Sequence, residues 1–285
     1  MLQAQPMNEW VYGEWTLRGV TRAGIGTCFL LPSLDIAFDV AQGFLELARV
    51  SRFFITHGHM DHASGIPYLI SQRALAHVTA PIFYMPESMV LPMKNIISNW
   101  EEIEGYKYQY YFHPIQVGEE VMLRADLLVR PFTAYHRIPA LGYTLFRRKK
   151  RLKAEFKGLS GNRIRDLRKS GQQVEEFWEE PEISFSGDTK IDFFDKNEVV
   201  RKSRILVMEV TYLDERKGVD QARKWGHVHL DELIPRLSQF QGEKILITHL
   251  SARYSVSECE RILDKRVPQN LRHKIEVFPQ SRRGS

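Results

Sequence analysis

The sequence predicts an α/β fold in which strands and helices alternate in mixed order. Short apolar or β-branched runs, such as residues 53–56 and 244–247, end in a histidine or an aspartate and are typical of buried strands. Longer amphipathic stretches between them indicate helices. With 285 residues, 43% of them hydrophobic, the chain can form one sizeable core. We therefore expect a single domain over residues 1–285.

The elements follow in chain order. Strands are predicted at residues 10–17, 26–31, 36–38 and 52–56, and helices at 44–50, 64–76 and 89–104. Residues 116–130 contain further strands with a turn at 118–120. Helices are predicted at 192–199, 214–225, 229–239 and 257–265, the last two with Asp or Ser near their starts, followed by a strand at 275–278. This mixed order favours a sandwich over a purely parallel doubly wound sheet.

A dense cluster of polar side chains directly follows the predicted strand at residues 52–56. Residues 57–62 read His-Gly-His-Met-Asp-His, so His57, His59, Asp61 and His62 can reach a common point. Imidazole and carboxylate groups suit zinc and related divalent ions. The cluster therefore predicts a metal site.

Three later segments repeat this arrangement. His136, Asp188 and His249 each follow a short strand-like run. Loops at strand ends are where a rigid scaffold presents functional groups, so we expect these residues to join the cluster.

Together these seven residues resemble the metallo-β-lactamase superfamily in type, order and spacing. The resemblance implies an αββα sandwich of two mixed β-sheets flanked by helices. It also implies two zinc ions, with manganese as an alternative. The first ion takes His57, His59 and His136, the second takes Asp61, His62 and His249, and Asp188 bridges them.

Further motifs resemble the tRNase Z (ribonuclease Z) branch. Residues 208–212 and 225–229 contain Glu209 and His227, and residues 136–143 and 248–254 also look like this branch. The resemblance implies that Glu209 supports His227, which protonates the leaving 3′-oxygen. Metal-bound hydroxide, oriented by Asp61, would attack a phosphodiester, and tRNA 3′-end processing is the predicted activity. It also implies a homodimer, in which one subunit's arm serves the other's active site.

Two segments depart from the branch. Residues 18–28 keep glycines and two arginines but lack its Lys/Arg- and Pro-containing loop ending in Arg-Asn. The insert at about 147–176 lacks the Gly-Pro pairs of the branch's arm.

That insert is strongly basic. Residues 147–169 hold eleven Lys or Arg and two acids, a net charge of +9, while the whole chain carries +5. We expect an arm that forms in part a short amphipathic helical hairpin and binds RNA. The predicted substrate-binding residues are Arg148, Lys149, Lys150 and Arg151 on the arm, with Ser251 and Arg253 near the metals.

Composition predicts a cytoplasmic enzyme. Two cysteines indicate no disulfide framework, the start lacks a secretory signal, and no apolar run is long enough to span a membrane. Two alternatives remain open: a small-molecule phosphodiesterase or ester or lactone hydrolase with the same metals, and a non-catalytic RNA-binding protein on the same scaffold.

Overall fold

The computed structural model describes residues 7–279, so the predicted absence of a signal at residues 1–6 lies outside the described part. Two seven-stranded sheets form the molecule. The strands of the first sheet are, in spatial order, β1 Asn8–Tyr12, β2 Trp15–Arg22, β3 Gly26–Leu31, β4 Ile36–Phe38, β5 Arg52–Phe54, β6 Ile82–Met85 and β7 Tyr111–Pro114. The strands of the second are β8 Val121–Arg124, β9 Leu127–Ala134, β10 Ala140–Leu152, β11 Glu175–Phe185, β12 Ile205–Glu209, β13 Lys244–Thr248 and β14 Ile275–Val277.

Each half of the chain repeats one strand pattern. In the first sheet β1 to β4 pair antiparallel and β4 to β7 pair parallel. In the second sheet β8 to β11 pair antiparallel and β11 to β14 pair parallel. Strands β4 to β7 of the first sheet therefore correspond in position to strands β11 to β14 of the second.

Helices cover the outer faces. Their bounds are α1 Met60–Ala63, α2 Ile66–Leu75, α3 Glu87–Glu104, α4 Gly161–Lys169, α5 Asp192–Lys196, α6 Glu198–Lys202, α7 Val219–Trp225, α8 Leu230–Leu233, α9 Val256–Arg266 and α10 Gln269–Arg272. One apolar cluster fills the space between the sheets, where Phe38, Phe54 and Tyr143 meet. Two further clusters lie between each sheet and its helices. The layers are thus helix, sheet, sheet, helix, as the αββα prediction requires.

Several predicted elements have different bounds or types. Residues 10–17 form a hairpin and not one strand, because Gly13, with φ +59°, makes a two-residue turn between Tyr12 and Trp15. The predicted helices at 192–199 and 229–239 are each broken, the second by a 3₁₀ turn at Ile234–Gln239 that contains a proline. The helix predicted at 214–225 begins only at Val219, and residues 45–49 form a 3₁₀ turn.

The arm is mainly a β-ribbon, and the predicted helical hairpin is confined to its tip, where its first segment is only a short 3₁₀ turn. Strand β10 pairs with β9 only as far as Arg147 but continues alongside β11 to the pair Leu152 and Glu175. The register shifts between Leu145 and Phe146, beside Pro181, and proline is tolerated at such a bulge but not inside a regular ladder. A 3₁₀ turn and α4 form a cap at its tip.

Candidate metal centre

The parallel strands bring their carboxyl ends to one edge of the sandwich. Asp39 follows β4, His57 follows β5, Asp188 follows β11 and His249 follows β13. His136 comes from the loop between β9 and β10. Because parallel strands end at the same edge, residues far apart in sequence meet there.

All seven predicted ligands lie in this cluster. The ligand atoms of His57, His59, His136 and Asp188 lie within 4.8 Å of one another, and those of Asp61, His62 and His249 form a second such group. Asp188 lies between the groups: its Oδ1 is 3.3 Å from His62 Nε2, and its Oδ2 is 3.3 Å from His249 Nε2 and 3.8 Å from His57 Nε2.

The cluster has the chemistry of a divalent metal site. His62 Nε2, Asp188 Oδ1 and His249 Nε2 are buried and form no hydrogen bond with the described residues. Buried polar atoms are rarely left without a partner, and nitrogen and carboxylate oxygen atoms are what zinc or manganese binds. The donor set therefore fits divalent metal binding beside Asp188.

Hydrogen bonds from behind fix the orientation of these histidines. His62 Nδ1 donates to Asp39 Oδ2 at 2.7 Å. His136 Nδ1 donates to the Gly226 carbonyl oxygen at 2.8 Å. Since each acceptor takes the proton of one ring nitrogen, the other nitrogen points into the cluster: His62 Nε2 lies 3.3 Å from Asp188 Oδ1, and His136 Nε2 lies 3.2 Å from His59 Nδ1.

Threonines hold two further ligands. Thr56 Oγ1 lies 2.9 Å from His57 Nδ1, and Thr211 Oγ1 lies 3.0 Å from His249 Nδ1. Sequence reasoning missed Thr56 and Thr211, together with Asp39 and Gly226. Asp39 could have been found, because it follows the apolar run of residues 36–38 just as the other ligands follow theirs.

Tight backbone geometry supports the site at two glycines. Gly187 has φ +59°, and a Cβ there would lie 2.7 Å from Thr56 Cβ. Gly226 has φ +83°, and a Cβ there would lie 2.6 Å from His136 Nδ1. A larger residue at Gly187 would displace Thr56, which contacts His57, and one at Gly226 would displace His136 itself.

The carboxylates and histidines influence each other's protonation. Burial alone would raise the pKa of Asp61, but the neighbouring His249 and His62 lower it to about 2. Burial would likewise raise the pKa of Asp188, and the neighbouring His249 and His62 hold it well below its usual range. Burial lowers the pKa of His57 and of His136, so both favour the neutral form that binds metal.

Glu209 and His227 form the predicted pair. His227 Nδ1 donates to Glu209 Oε1 at 2.9 Å, and the same carboxylate accepts from the backbone N–H of Thr189 and from Thr211. Burial would lower the pKa of His227, but the charge and hydrogen bond of Glu209 raise it to about 9. The His227 ring lies 5.2 Å from that of His249, so the pair stands beside the ligand cluster.

Comparisons with known proteins agree with this geometry. Residues 32–250 match the family model of the beta-lactamase superfamily domain. The chain is 34% identical to tRNase Z TRZ1 of Arabidopsis thaliana over 86% of this chain and 89% of that one. The chain belongs to the metallo-β-lactamase superfamily, in its tRNase Z branch. Chloroplastic tRNase Z TRZ2 of the same plant is 30% identical, over 88% of this chain and 72% of that one.

Solved structures of this superfamily share the fold. Human tRNase Z, short form, superimposes with a TM-score of 0.57 at 18% identity, covering 82% of this chain and 92% of that one. The metallo-β-lactamase fold protein YhfI of Bacillus subtilis gives a TM-score of 0.58 at 12% identity, covering 96% and 97%.

In this branch member an open cleft of about 430 Å³ leads to the ligand cluster. Ser251 and Arg253, predicted to bind substrate, line it together with Tyr212 and Trp225. The Gly24 amide donates to Asp61 Oδ2 at 2.8 Å, so the short turn that replaces the branch's Arg-Asn loop touches a ligand directly. His229 is buried, and its side chain caps α8.

The four predicted binding residues of the arm lie on the ribbon, away from its tip. Each faces a carboxylate: Arg148 pairs with Glu179, Lys149 with Glu180, Lys150 with Glu175 and Arg151 with Glu176. Counted through Glu182, the arm has eleven basic and seven acidic residues, a net charge of +4. The net charge of +9 applies to residues 147–169 only, which do not include the acidic strand β11.

The structure has no helix long and apolar enough to cross a membrane within residues 7–279.

Proposed function

We propose that this protein is a metal-dependent phosphodiesterase that cuts RNA and processes the 3′ end of precursor tRNA. The observation that carries the proposal is the Glu209–His227 pair beside a complete ligand set. Relatives named tRNase Z, similar over most of their length, support this assignment of the chemistry.

We propose two zinc ions as the cofactor, with manganese as the alternative. His57, His59 and His136 would hold the first, and Asp61, His62 and His249 the second, with Asp188 shared. Such a pair supplies an activated water nucleophile and neutralises charge on the phosphoryl oxygens.

The chain's own groups perform the remaining steps. Glu209 accepts from His227 Nδ1, so the Nε2 atom is left to deliver a proton to the leaving 3′-oxygen. Asp61, held by the Gly24 amide, has a fixed oxygen at the floor of the cleft, where it would orient the nucleophile. Ser251 and Arg253 on the cleft wall would contact substrate phosphates.

The arm would bind the body of the RNA through its tip. Lys157, Arg163 and Lys169 are exposed on the cap, and none of them forms an ion pair with a described residue. The ribbon cations would instead hold the ribbon together through their glutamate partners, although their long side chains also add to the positive field. We further propose one domain with this inserted arm, assembled as a cytoplasmic homodimer; size-exclusion chromatography with light scattering tests the dimer.

The decisive experiment compares two leaving groups. A ribose 3′-oxygen needs a proton to leave, whereas p-nitrophenolate does not. We expect His227→Asn to reduce cleavage of a 3′-extended precursor tRNA by about 10²–10⁴-fold and to change bis-p-nitrophenyl phosphate hydrolysis far less. His113→Asn, an exposed histidine on β7, is the matched control. Equal losses on both substrates would contradict the general-acid role.

A small-molecule phosphodiesterase is the second candidate. The short turn at Gly24 and the neutralised ribbon favour it, because both reduce the surface offered to a large RNA. Turnover of bis-p-nitrophenyl phosphate by wild type with no discrete cut in the tRNA would select this alternative. A metal content near zero in purified protein would instead favour a non-catalytic RNA-binding protein.

A further inference from the structure

A large aromatic side chain stands exposed at the rim of the cleft. Trp225 is 48% exposed and lines the cleft together with His227 and Arg253. An exposed tryptophan beside a polar site costs hydrophobic free energy in the free protein. Its place in the cleft wall puts it within reach of a substrate bound there.

The backbone fixes where this indole stands. Trp225 is the last residue of α7, and Gly226 ends the helix in the left-handed conformation. The Gly226 carbonyl accepts from the ligand His136, and the His227 amide donates to the Ala222 carbonyl at 3.0 Å. The indole is thus tied to a ligand histidine and to the proposed acid by one rigid turn.

A cation covers one face of the indole. The Arg137 guanidinium lies 4.9 Å from the centre of the Trp225 ring, and Arg137 follows His136 directly in sequence. Arg137 is exposed and forms no ion pair within residues 7–279. A ring that packs against a guanidinium and also lines a cleft is the kind of platform on which proteins stack nucleobases.

We infer that Trp225, backed by Arg137, stacks the base of the nucleotide that carries the leaving 3′-oxygen. This inference rests on the proposed function and adds a base-contacting residue to it. The assignment to that nucleotide follows from position, because Trp225 is two residues from His227, which would protonate that oxygen. Stacking is tolerant of base identity, so the indole would position the substrate without reading its sequence.

The test removes the indole and the base separately and together. The substrates are a 3′-extended precursor tRNA and the same RNA with an abasic residue on the 5′ side of the cut. Trp225→Leu should lower kcat/KM on the intact RNA by roughly 5- to 150-fold, mainly through KM, and the abasic residue should lower wild-type activity to a similar extent. On the abasic RNA the variant should match wild type, because the contact is already lost.

Controls separate stacking from structural damage. Trp225→Phe should restore most of the loss, since it keeps an aromatic face. Trp100→Leu removes an equally exposed tryptophan, 46% exposed, from α3 and should leave both RNAs unaffected. Equal impairment of both RNAs by Trp225→Leu, or failure of phenylalanine to restore activity, would overturn the inference while leaving tRNA cleavage intact. Failure of wild type to cut either RNA would instead overturn the proposed function, and the inference with it.

Discussion

Asp39 controls the ligand cluster without belonging to it. It is fully buried, adopts a left-handed backbone conformation and accepts from the Thr56 amide as well as from His62. Burial raises the pKa of this carboxyl, and the His62 charge and hydrogen bond oppose the rise. Its role is to hold His62 so that Nε2 faces Asp188.

Weakening this support should weaken metal binding. Asp39→Asn retains the shape but offers His62 a poorer acceptor, so zinc affinity should fall about 10- to 100-fold. Competition with a fluorescent zinc chelator measures the change. Asp35→Asn is the matched control. Asp35 is also an aspartate with positive φ beside β4, but it is exposed and does not contact the predicted ligands. Unchanged affinity in Asp39→Asn would show that His62 needs no such partner.

At the residue scale the clustering of the predicted ligands could be foreseen, whereas most of the residues that support them could not. His57 to His62 are close in sequence, so their capacity to bind metal can be predicted from this short segment alone. Thr56 and Thr211 look like ordinary strand-end residues. Thr56 contacts its neighbour His57, and Thr211 reaches His249 only because β12 pairs with β13. The Gly226 carbonyl belongs to the backbone, so no side-chain pattern could reveal it.

Among the elements, the arm shows how strand pairing can neutralise a basic run of the sequence. The basic run looks like one patch in sequence, but β10 and β11 place it opposite glutamates. Exposed cross-strand pairs of this kind each contribute little to stability, yet opposite charges fix the register of the ribbon. The ribbon is therefore a spacer, and the cap carries the unpaired charge.

Reversing charge on the cap should weaken RNA binding. The triple change of Lys157, Arg163 and Lys169 to Glu should lower affinity for precursor tRNA. The slope of log affinity against log salt concentration should become shallower by up to about 2–3. Filter binding at several salt concentrations measures both. Reversal of Arg49, Lys94 and Lys265, exposed cations elsewhere, is the control. Equal effects of the two triple variants would indicate a general charge effect and contradict a specific role of the cap.

Helix α2 is anchored by a buried arginine. Arg73 is 2% exposed and donates to the carbonyl oxygens of Ala48, Val50 and Thr79. The acceptors of Ala48 and Val50 lie in buried residues and would otherwise lack this donor, so one side chain joins the helix to two loops around the first sheet.

Loss of this anchor should destabilise the fold. Arg73→Met fills most of the volume but leaves the carbonyls unsatisfied, so the free energy of unfolding should fall by about 2–4 kcal/mol. Urea denaturation followed by circular dichroism measures it. Arg49→Met, at an exposed position in the preceding 3₁₀ turn, should change it by less than about 0.5 kcal/mol. A loss no larger than that of the control would show that water replaces the guanidinium.

For the whole molecule, the two sheets meet at the ligand cluster. His57 to His62 come from the first sheet's side, and Asp188 and His249 from the second's. The sandwich class was predictable because the ligand motifs identified it. The matching strand order of the halves was not, since pairing is set by contacts between residues that share no local pattern.

Metal removal should therefore loosen the packing of one sheet on the other. With zinc at about 1,000 times its dissociation constant, binding adds about 4 kcal/mol to the free energy of unfolding, and a chelator removes this gain. Urea midpoints with and without zinc measure the difference. In Asp188→Ala the midpoint should no longer respond to zinc, and precursor tRNA cleavage should be lost. A zinc response retained in that variant would contradict the ligand assignment.

The repeated strand order also has a consequence for synthesis on the ribosome. When the chain has emerged as far as Pro114, all seven strands of the first sheet are present, yet Phe38 and Phe54 still await the second sheet. At typical elongation rates of about 5–20 residues per second, the remaining half takes on the order of ten seconds or more to appear. During that interval the nascent half exposes an apolar sheet face and four of its seven ligands, which makes it a natural client for a chaperone. Completion of the second sheet covers the face and closes the ligand set in the same event.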